Sequence, residues 1–264
     1  MAAASFRRRL RVGVQMQPQH TTYASFMAAV RRFEALGVDT LWDWDHFFPL
    51  WGDPQGPHFE GWTLLTAMAT NTERVEVGCL VTCNTYRNPA LLADMAKTVD
   101  HISTGRLILG LGAGWFERDY QEYGYAFGTA GSRLDALERS LAVITHRWEV
   151  DVPKPLRPIP IMIAGGGEKK TLRLAAQYGT MMHCFADVAL FRHKMAVLDG
   201  WCAEFGRDPA TIERACAVKS RASDGERDEY VDAGATHLLL HMSEPWNDEA
   251  VADLVRWRDA HNQP

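Results

Sequence analysis

Short apolar segments and longer amphipathic segments alternate along this chain in a regular order. Apolar runs of about four to eight residues are typical of strands buried on both faces of a parallel sheet. Eight such runs predict strands, at 11–17, 39–46, 75–83, 106–112, 160–165, 180–185, 213–219 and 236–242. Between and after them, apolar residues three or four positions apart predict helices.

Several predicted helices carry recognisable end signals. A first helix has an apolar stripe that ends at Leu36 and is closed by Gly37, since glycine favours the left-handed conformation that ends helices. The pair Asn88-Pro89 predicts the start of the third helix, and Ser132 that of the fourth. Weaker patterns predict a seventh helix at 224–233 and an eighth, capped by Asn247, at 247–262.

Eight strands, each followed by a helix, predict a single (β/α)8 TIM barrel domain over residues 1–264. The alternative architecture is an open, doubly wound parallel sheet of the same strands. In a barrel, the functional residues lie at the carboxyl ends of the strands and in the loops that follow them.

Composition and charge argue against several classes of function. The chain has 264 residues, 47% of them hydrophobic, a formal net charge of −5 and a pI near 6.1, which argues against general binding to nucleic acid or membrane surfaces. MAAASFRRRL lacks the apolar core of a signal peptide. We interpret the basic run Arg7-Arg8-Arg9-Leu10-Arg11 as a solvated lead-in to the first strand. The cysteines are odd in number and scattered, at Cys79, Cys83, Cys184, Cys202 and Cys216. We therefore expect reduced thiols, no metal site and a cytoplasmic location.

Polar residues stand where the predicted second strand ends, in the segment WDWDHFF. A histidine at a strand end, here His46, can donate a proton or a hydrogen bond to a ligand, or can be a structural residue. We interpret Asp45 as the residue that orients the site. Tryptophans near these loops predict a wide apolar pocket suited to a planar ring; they are Trp44, Trp51, Trp62 and Trp115.

Two glycine-rich strand ends complete the candidate site. Gly110, Gly112 and Gly114 leave one edge of the fourth strand without side chains, so a flat ligand can lie against the backbone; close packing against a neighbouring strand is the alternative. The range 165–167 holds three glycines before a predicted helix that opens with Glu168, where free N–H groups and the helix dipole favour an anion such as phosphate. A turn without a ligand is the alternative there.

These segments together resemble a known family. WDWDHFF, VGCLVTCNTYRNPALLADMAKTVDHISTGRLILGLGAGW and IMIAGGG, in this order, are similar to the luciferase-like monooxygenase superfamily, in particular its branch that uses the deazaflavin coenzyme F420 and is common in actinobacteria. The resemblance implies a barrel that binds a deazaflavin at its mouth. It also implies a non-prolyl cis peptide at Cys79–Leu80 behind the ring. The implied cofactor-binding residues are Asp45, His46, Cys79, Leu80, Asn84, Gly112, Ala113, Gly114, Gly165, Gly166 and Gly167.

The resemblance implies hydride transfer between F420 and an organic substrate, with His46 as the catalytic residue. The alternatives are an FMN-dependent luciferase-like monooxygenase and a non-catalytic barrel that binds the cofactor. Family members that oxidise sugar phosphates carry a glutamate where this chain has Trp115. We expect a small-molecule substrate of apolar or aromatic character, because the loops hold Phe47, Phe48, Trp51, His58 and Phe59. We expect no nucleic-acid or membrane partner, and the choice between monomer and homodimer stays open.

Overall fold

The computed structural model describes residues 9–263, in which parallel strands form a barrel surrounded by helices. The strands are β1 Arg11–Met16, β2 Thr40–Asp43, β3 Glu76–Cys79, β4 Thr82–Cys83, β5 Leu109–Gly112, β6 Ile161–Ala164, β7 Met181–Cys184, β8 Glu213–Val218 and β9 His237–Met242. The helices are α1 Tyr23–Leu36, α2 Gly61–Thr70, α3 Pro89–Ile102, α4 Glu117–Tyr123, α5 Ala130–Val150, α6 Thr171–Tyr178, α7 Val188–Glu204, α8 Asp224–Asp232 and α9 Asp248–His261. The predicted TIM barrel is therefore confirmed.

Every pairing in the sheet is parallel, in the order β3-β2-β1-β9-β8-β7-β6-β5-β4. The barrel closes between β3 and the residues before β5, where Val77 N donates to Arg106 O and Ile108 N donates to Val77 O, both at 2.9 Å. This closure excludes the open sheet.

The predicted third strand, 75–83, is in fact two strands. β3 pairs with β2, whereas β4 pairs with β5, so the chain changes its pairing partner across Leu80 and Val81. The non-prolyl cis peptide lies in this break, at Leu80–Val81. The position expected from the resemblance, Cys79–Leu80, was wrong by one residue, because Cys79 is still paired with Asp43 in the ladder.

Helix ends follow the predicted signals at most places. Gly37 adopts φ +100° after α1, and the side chains of Asn88 and Asn247 accept hydrogen bonds from the first turns of α3 and α9. The start of α5 is earlier than predicted: Thr129 is the cap, and Ser132 is its capping-box partner three residues on. α4 was not predicted, because ERDYQEY is short and polar and has no apolar stripe.

Two apolar layers hold the strands in place. The larger one lies between the strands and the helices. The smaller one fills the barrel interior with side chains from successive strands: Trp42, Leu80, Ile108, Met162, Met181, Ala215 and Leu239. Because the barrel is filled, a ligand can enter only at its mouth.

The amino-terminal end of the barrel is closed by a charged network. His237 bonds through Nδ1 to Glu213 at 2.6 Å and through Nε2 to Thr40 at 2.9 Å. Arg11 pairs with both Glu213 and Glu76. Arg11 is therefore a structural residue of β1, and the expectation that the whole basic run is solvated was wrong there. Arg7 and Arg8 of that run lie outside the described residues.

Candidate functional site

A cavity of about 650 Å³ opens at the carboxyl ends of the strands. It lies where the fold predicts a site, and its lining comes from almost every strand end. The lining residues are Gln15, Gln17, Trp44, Asp45, His46, Leu50, Trp51, Leu80, Val81, Cys83, Tyr86, Gly112, Ala113, Gly114, Trp115, Ala130, Arg133, Leu134, Ala164, Gly165, Thr171, His183, Phe185 and His241.

His46 lies on the cavity wall with its ring oriented by an aspartate. Its Nδ1 is 2.8 Å from Asp119 Oδ2, and the fully buried Asp119 also accepts hydrogen bonds from Tyr86 Oη at 2.9 Å and Phe47 N at 3.1 Å. When Nδ1 carries a proton and donates it in the hydrogen bond to Asp119, Nε2 is the nitrogen free to act on a ligand. Asp119 and Tyr86 were missed, because Asp119 lies on the unpredicted α4. Acidic residues in a first helical turn are the one sequence signal for it.

Asp45 is held by Arg87 and does not contact His46 through a hydrogen bond. Arg87 Nη1 and Nη2 donate to its two carboxylate oxygens at 2.6 and 2.8 Å, and Cys83 N donates at 3.0 Å. Burial raises the pKa of Asp45, and the Arg87 charge opposes that rise. Arg87 also pairs with Glu60 at 2.7 Å. Asp45 thus fixes the loop after β2 to the loop after β4.

The break between β3 and β4 forms part of the cavity floor. Leu80 and Val81 line the cavity, and Gln15 Nε2 donates to Leu80 O. Cys79 does not line it: its side chain packs in the layer between strands and helices. Burial is the main reason that the pKa of the neighbouring Asp43 is well above its usual value.

Gly110 and Gly112 of β5, and Gly114 in the loop after it, are required by close packing within the protein. A Cβ at Gly110 would overlap the Cys79 carbonyl oxygen, and one at Gly112 would lie 2.6 Å from Val81 Cγ2. At Gly114, where φ is +81°, a Cβ would overlap the Tyr120 hydroxyl. The packing alternative therefore explains these three glycines. Gly112, Ala113 and Gly114 nevertheless line the cavity.

The loop 165–167 differs from the predicted helix start. Gly165 has φ +129° and lines the cavity, but residues 168–170 form a turn, and α6 begins only at Thr171. Thr171 is the cavity-lining residue of the α6 amino terminus. A Cβ at Gly166 would meet nothing closer than Lys194 Cε at 3.7 Å, so this position is open. Gly166 and Gly167 do not themselves line the cavity.

Arg133 brings a positive charge to the same side of the cavity. Its Nε donates to Gly114 O and its Nη1 to Phe127 O, each at 3.0 Å, and its guanidinium lies 4.0 Å from the centroid of the Phe127 ring. Among residues 9–263 no carboxylate pairs with it. A buried guanidinium without an acidic partner favours an anionic ligand. The sequence pattern gave no signal for it.

Three of the four predicted tryptophans line the cavity: Trp44, Trp51 and Trp115, the last 64% exposed. Trp62 is buried and donates to Thr82 Oγ1 at 3.2 Å. Phe47 stacks on Tyr86 and Tyr123 outside the cavity. Asn84 is also buried behind the rim, and its backbone N donates to Gly112 O at 3.0 Å.

The family model of luciferase-like monooxygenase matches residues 9–263. The chain belongs to this family. Within the described residues, no helix is long and apolar enough to cross a membrane.

Two curated relatives are similar to this luciferase-like protein. An F420-dependent glucose-6-phosphate dehydrogenase of Amycolatopsis mediterranei is 30% identical over 177 residues, which are 60% of this chain and 52% of the relative. An F420-dependent hydroxymycolic acid dehydrogenase of Mycobacterium tuberculosis is 27% identical over 219 residues, 76% of this chain and 60% of the relative. The chain thus spans little more than half the length of these relatives.

A solved structure shares the fold. An F420-dependent secondary alcohol dehydrogenase in complex with an F420-acetone adduct superposes with a TM-score of 0.84 at 17% identity, covering 97% of this chain and 100% of that one. At this level of identity the likeness concerns the fold.

Proposed function

We propose that this protein is a coenzyme F420-dependent oxidoreductase that transfers a hydride between the deazaflavin and a small, largely apolar organic substrate. The observation that carries the proposal is the oriented His46–Asp119 pair on the wall of a large aromatic cavity in a luciferase-like barrel. The names of the two relatives and of the superposed structure support the choice of F420.

The described residues fit a planar ring with an anionic side arm. A cavity of about 650 Å³ lies in the range typical of cofactor sites. The floor formed by Leu80 and Val81 would lie against the ring, and the loop 165–167 with Arg133 and Thr171 would hold the phosphate. When bound, the deazaflavin supplies a carbon centre that gives or accepts a hydride, and the protein supplies orientation and electrostatics.

His46 is the residue that we expect to handle the proton. As an imidazolium it donates from Nε2 to a substrate oxygen that gains negative charge; as a neutral imidazole it accepts a proton from an alcohol. Asp119 stabilises the charged form and fixes the tautomer through Nδ1. Trp44, Trp115 and Phe116 pack edge-on around the ring at 5.5–5.7 Å between centroids, which keeps it in one orientation.

We also infer that sugar phosphates are not substrates, because exposed Trp115 stands where the resemblance places a glutamate. Five free, buried cysteines are consistent with a reducing cytoplasmic location and small-molecule chemistry.

The cofactor assignment is tested by titrating the purified protein with F420 and with FMN while following tryptophan fluorescence. We expect micromolar binding of F420 and weaker binding of FMN. Micromolar FMN binding with no response to F420 would instead support the monooxygenase alternative. Binding of F420 without turnover of any member of a panel of secondary alcohols and ketones would support the non-catalytic barrel.

A substitution at Gly166 tests the phosphate position. Gly166→Asp places a carboxylate in the open space beside the loop, and we expect the F420 dissociation constant to rise at least tenfold, which needs only about 1.4 kcal/mol. Gly166→Asn is the matched control, because it has the same shape without the charge. Equal affinities for F420 in the two folded variants would exclude the loop from the phosphate site.

A further inference from the structure

Two histidines on the cavity wall take no part in the chemistry proposed above. His183 lies on β7 and His241 on β9, and both line the cavity. Their ring centroids are 6.1 Å apart with 20° between the ring planes. Phe185 lies edge-on to both, at 4.9 and 5.0 Å. The three rings therefore form one continuous piece of wall.

Neither imidazole has a hydrogen-bond partner among the described residues. Nε2 of each ring is shielded from solvent and unpaired, and His183 as a whole is only 1% exposed. His237, in the same barrel, is bonded at both ring nitrogens. A buried polar group that is left unpaired destabilises the folded protein. Nδ1 of each ring is also unbonded within residues 9–263 but is not among the shielded atoms, so a molecule in the cavity can bond to the rings at this nitrogen.

This part of the wall carries no formal charge. Burial lowers the pKa of His183 to about 3 and that of His241 to about 4, so both imidazoles are neutral at physiological pH. The neighbouring β1 contributes Gln15, and Gln17 follows it; both are neutral amides. A neutral imidazole has one N–H donor and one acceptor nitrogen, which suits a hydroxyl or carbonyl group and gives an anion no counter-charge.

The two histidines differ in their position relative to the parts assigned to the cofactor: His241 lies away from them, whereas His183 borders them. The ring floor and the phosphate loop belong to the side formed by β3, β4, β5 and β6. β9 lies between β1 and β8 on the other side of the barrel. β7 pairs with β6, with Ala164 opposite His183, and Gly165 N donates to His183 O at 2.9 Å, so His183 borders the phosphate loop. His46, after β2, faces the cavity across from β7. A substrate whose reacting oxygen meets His46 would therefore extend toward His183 and His241.

We propose that His183 and His241 form a substrate subsite that binds a second, neutral oxygen function, a hydroxyl or carbonyl, and selects against carboxylate and phosphate groups. The assignment to substrate rests on the proposed function, since it assumes that the cofactor occupies the side formed by β3 to β6 and leaves both imidazole rings to the substrate. The chemical class of the ligand, a neutral group that forms hydrogen bonds, follows from the two imidazole rings alone.

The binding chemistry is tested on the full-length protein without cofactor, labelled with ¹⁵N-histidine. We expect millimolar benzyl alcohol to shift the imidazole signals of His183 and His241, assigned from single variants, and benzoate of the same size to leave them unchanged. No shift with benzyl alcohol, or equal shifts with both compounds, would overturn the proposal. These outcomes do not depend on F420 binding, so they are distinct from a failure of the proposed function.

The double variant His183→Leu/His241→Leu separates ligand binding from a structural role. We expect its urea midpoint to be unchanged or higher, because unpaired buried nitrogens are removed, while ligand-detected NMR shows benzyl alcohol binding at least tenfold more weakly. His146→Leu, which replaces an exposed histidine of α5 outside the cavity lining, should retain that binding within about threefold. If the double variant had a lower urea midpoint of unfolding but bound benzyl alcohol as tightly as the parent protein, the role of His183 and His241 would be structural. A tenfold rise in the F420 dissociation constant would assign the wall to the cofactor and refute the substrate subsite.

Discussion

His46→Ala is expected to slow turnover by about 10²–10⁴-fold, the usual contribution of a positioned acid or base. The physical reason is the loss of an imidazole that is both oriented by a buried carboxylate and exposed to the cavity. The measurement is the rate of F420 reduction or reoxidation with an active secondary alcohol or ketone, together with the F420 dissociation constant. We expect the dissociation constant to change far less than kcat.

Asp119→Asn is the matched variant for this prediction. It keeps the shape of the side chain but removes the carboxylate to which His46 Nδ1 bonds, so we expect kcat to fall, but by less than in His46→Ala. Normal turnover of His46→Ala would make His46 a packing residue. Loss of cofactor binding would instead make its role binding, and the proton would then have to come from another source, such as water.

Arg87→Met is expected to lower the free energy of unfolding by about 3–5 kcal/mol, the usual effect of removing one partner from a buried ion pair. Asp45 would be left buried, with a single hydrogen bond from Cys83 N. Glu60 also loses a partner, but its side chain is 40% exposed and its contribution is small. Urea unfolding at neutral pH measures the effect, and Arg87→Lys, which keeps a positive charge, should recover part of it.

The loss of stability should depend on pH. Burial already raises the pKa of Asp45 in the folded protein, and without Arg87 it would rise further. A carboxyl whose pKa is higher in the folded state than in the unfolded state destabilises the fold when it is ionised. The difference in free energy of unfolding between Arg87→Met and the parent protein should therefore be largest at pH values above the raised pKa of Asp45. It should become smaller as the pH falls through that pKa. An equal difference at pH 5 and pH 8 would contradict a buried charge as the cause.

Much of the fold could be predicted because its signals are local. Seven of the predicted strands correspond to single strands of the barrel, and the remaining one, 75–83, covers both β3 and β4. A buried parallel strand can be predicted in this way because it is a local apolar run. The helix caps at Asn88 and Asn247 depend on the hydrogen bonds of one side chain to the next turn, which is also local. The break at Leu80–Val81 is not local, because it arises from pairing with β2 on one side and β5 on the other.

The candidate site likewise has residues that the sequence could identify and residues that it could not. His46 and Asp45 could be identified because they follow a predicted strand end, but their partners could not. His46 is oriented by Asp119, 73 positions away, and Asp45 by Arg87, 42 positions away. Asp45 orients the site, as predicted, only in that it holds together the loops after β2 and β4. His46 itself is oriented by Asp119 on α4.

The sequence by itself determined the barrel, the family and the strand ends where chemistry is placed, because each follows from patterns within one strand–helix unit. Only the tertiary structure decided which side chains meet. It attributed the glycines of β5 and of the loop after it to packing against Cys79, Val81 and Tyr120. It also brought His183 and His241 together without partners, since distances across a barrel mouth depend on how the strands close and leave no pattern along the chain.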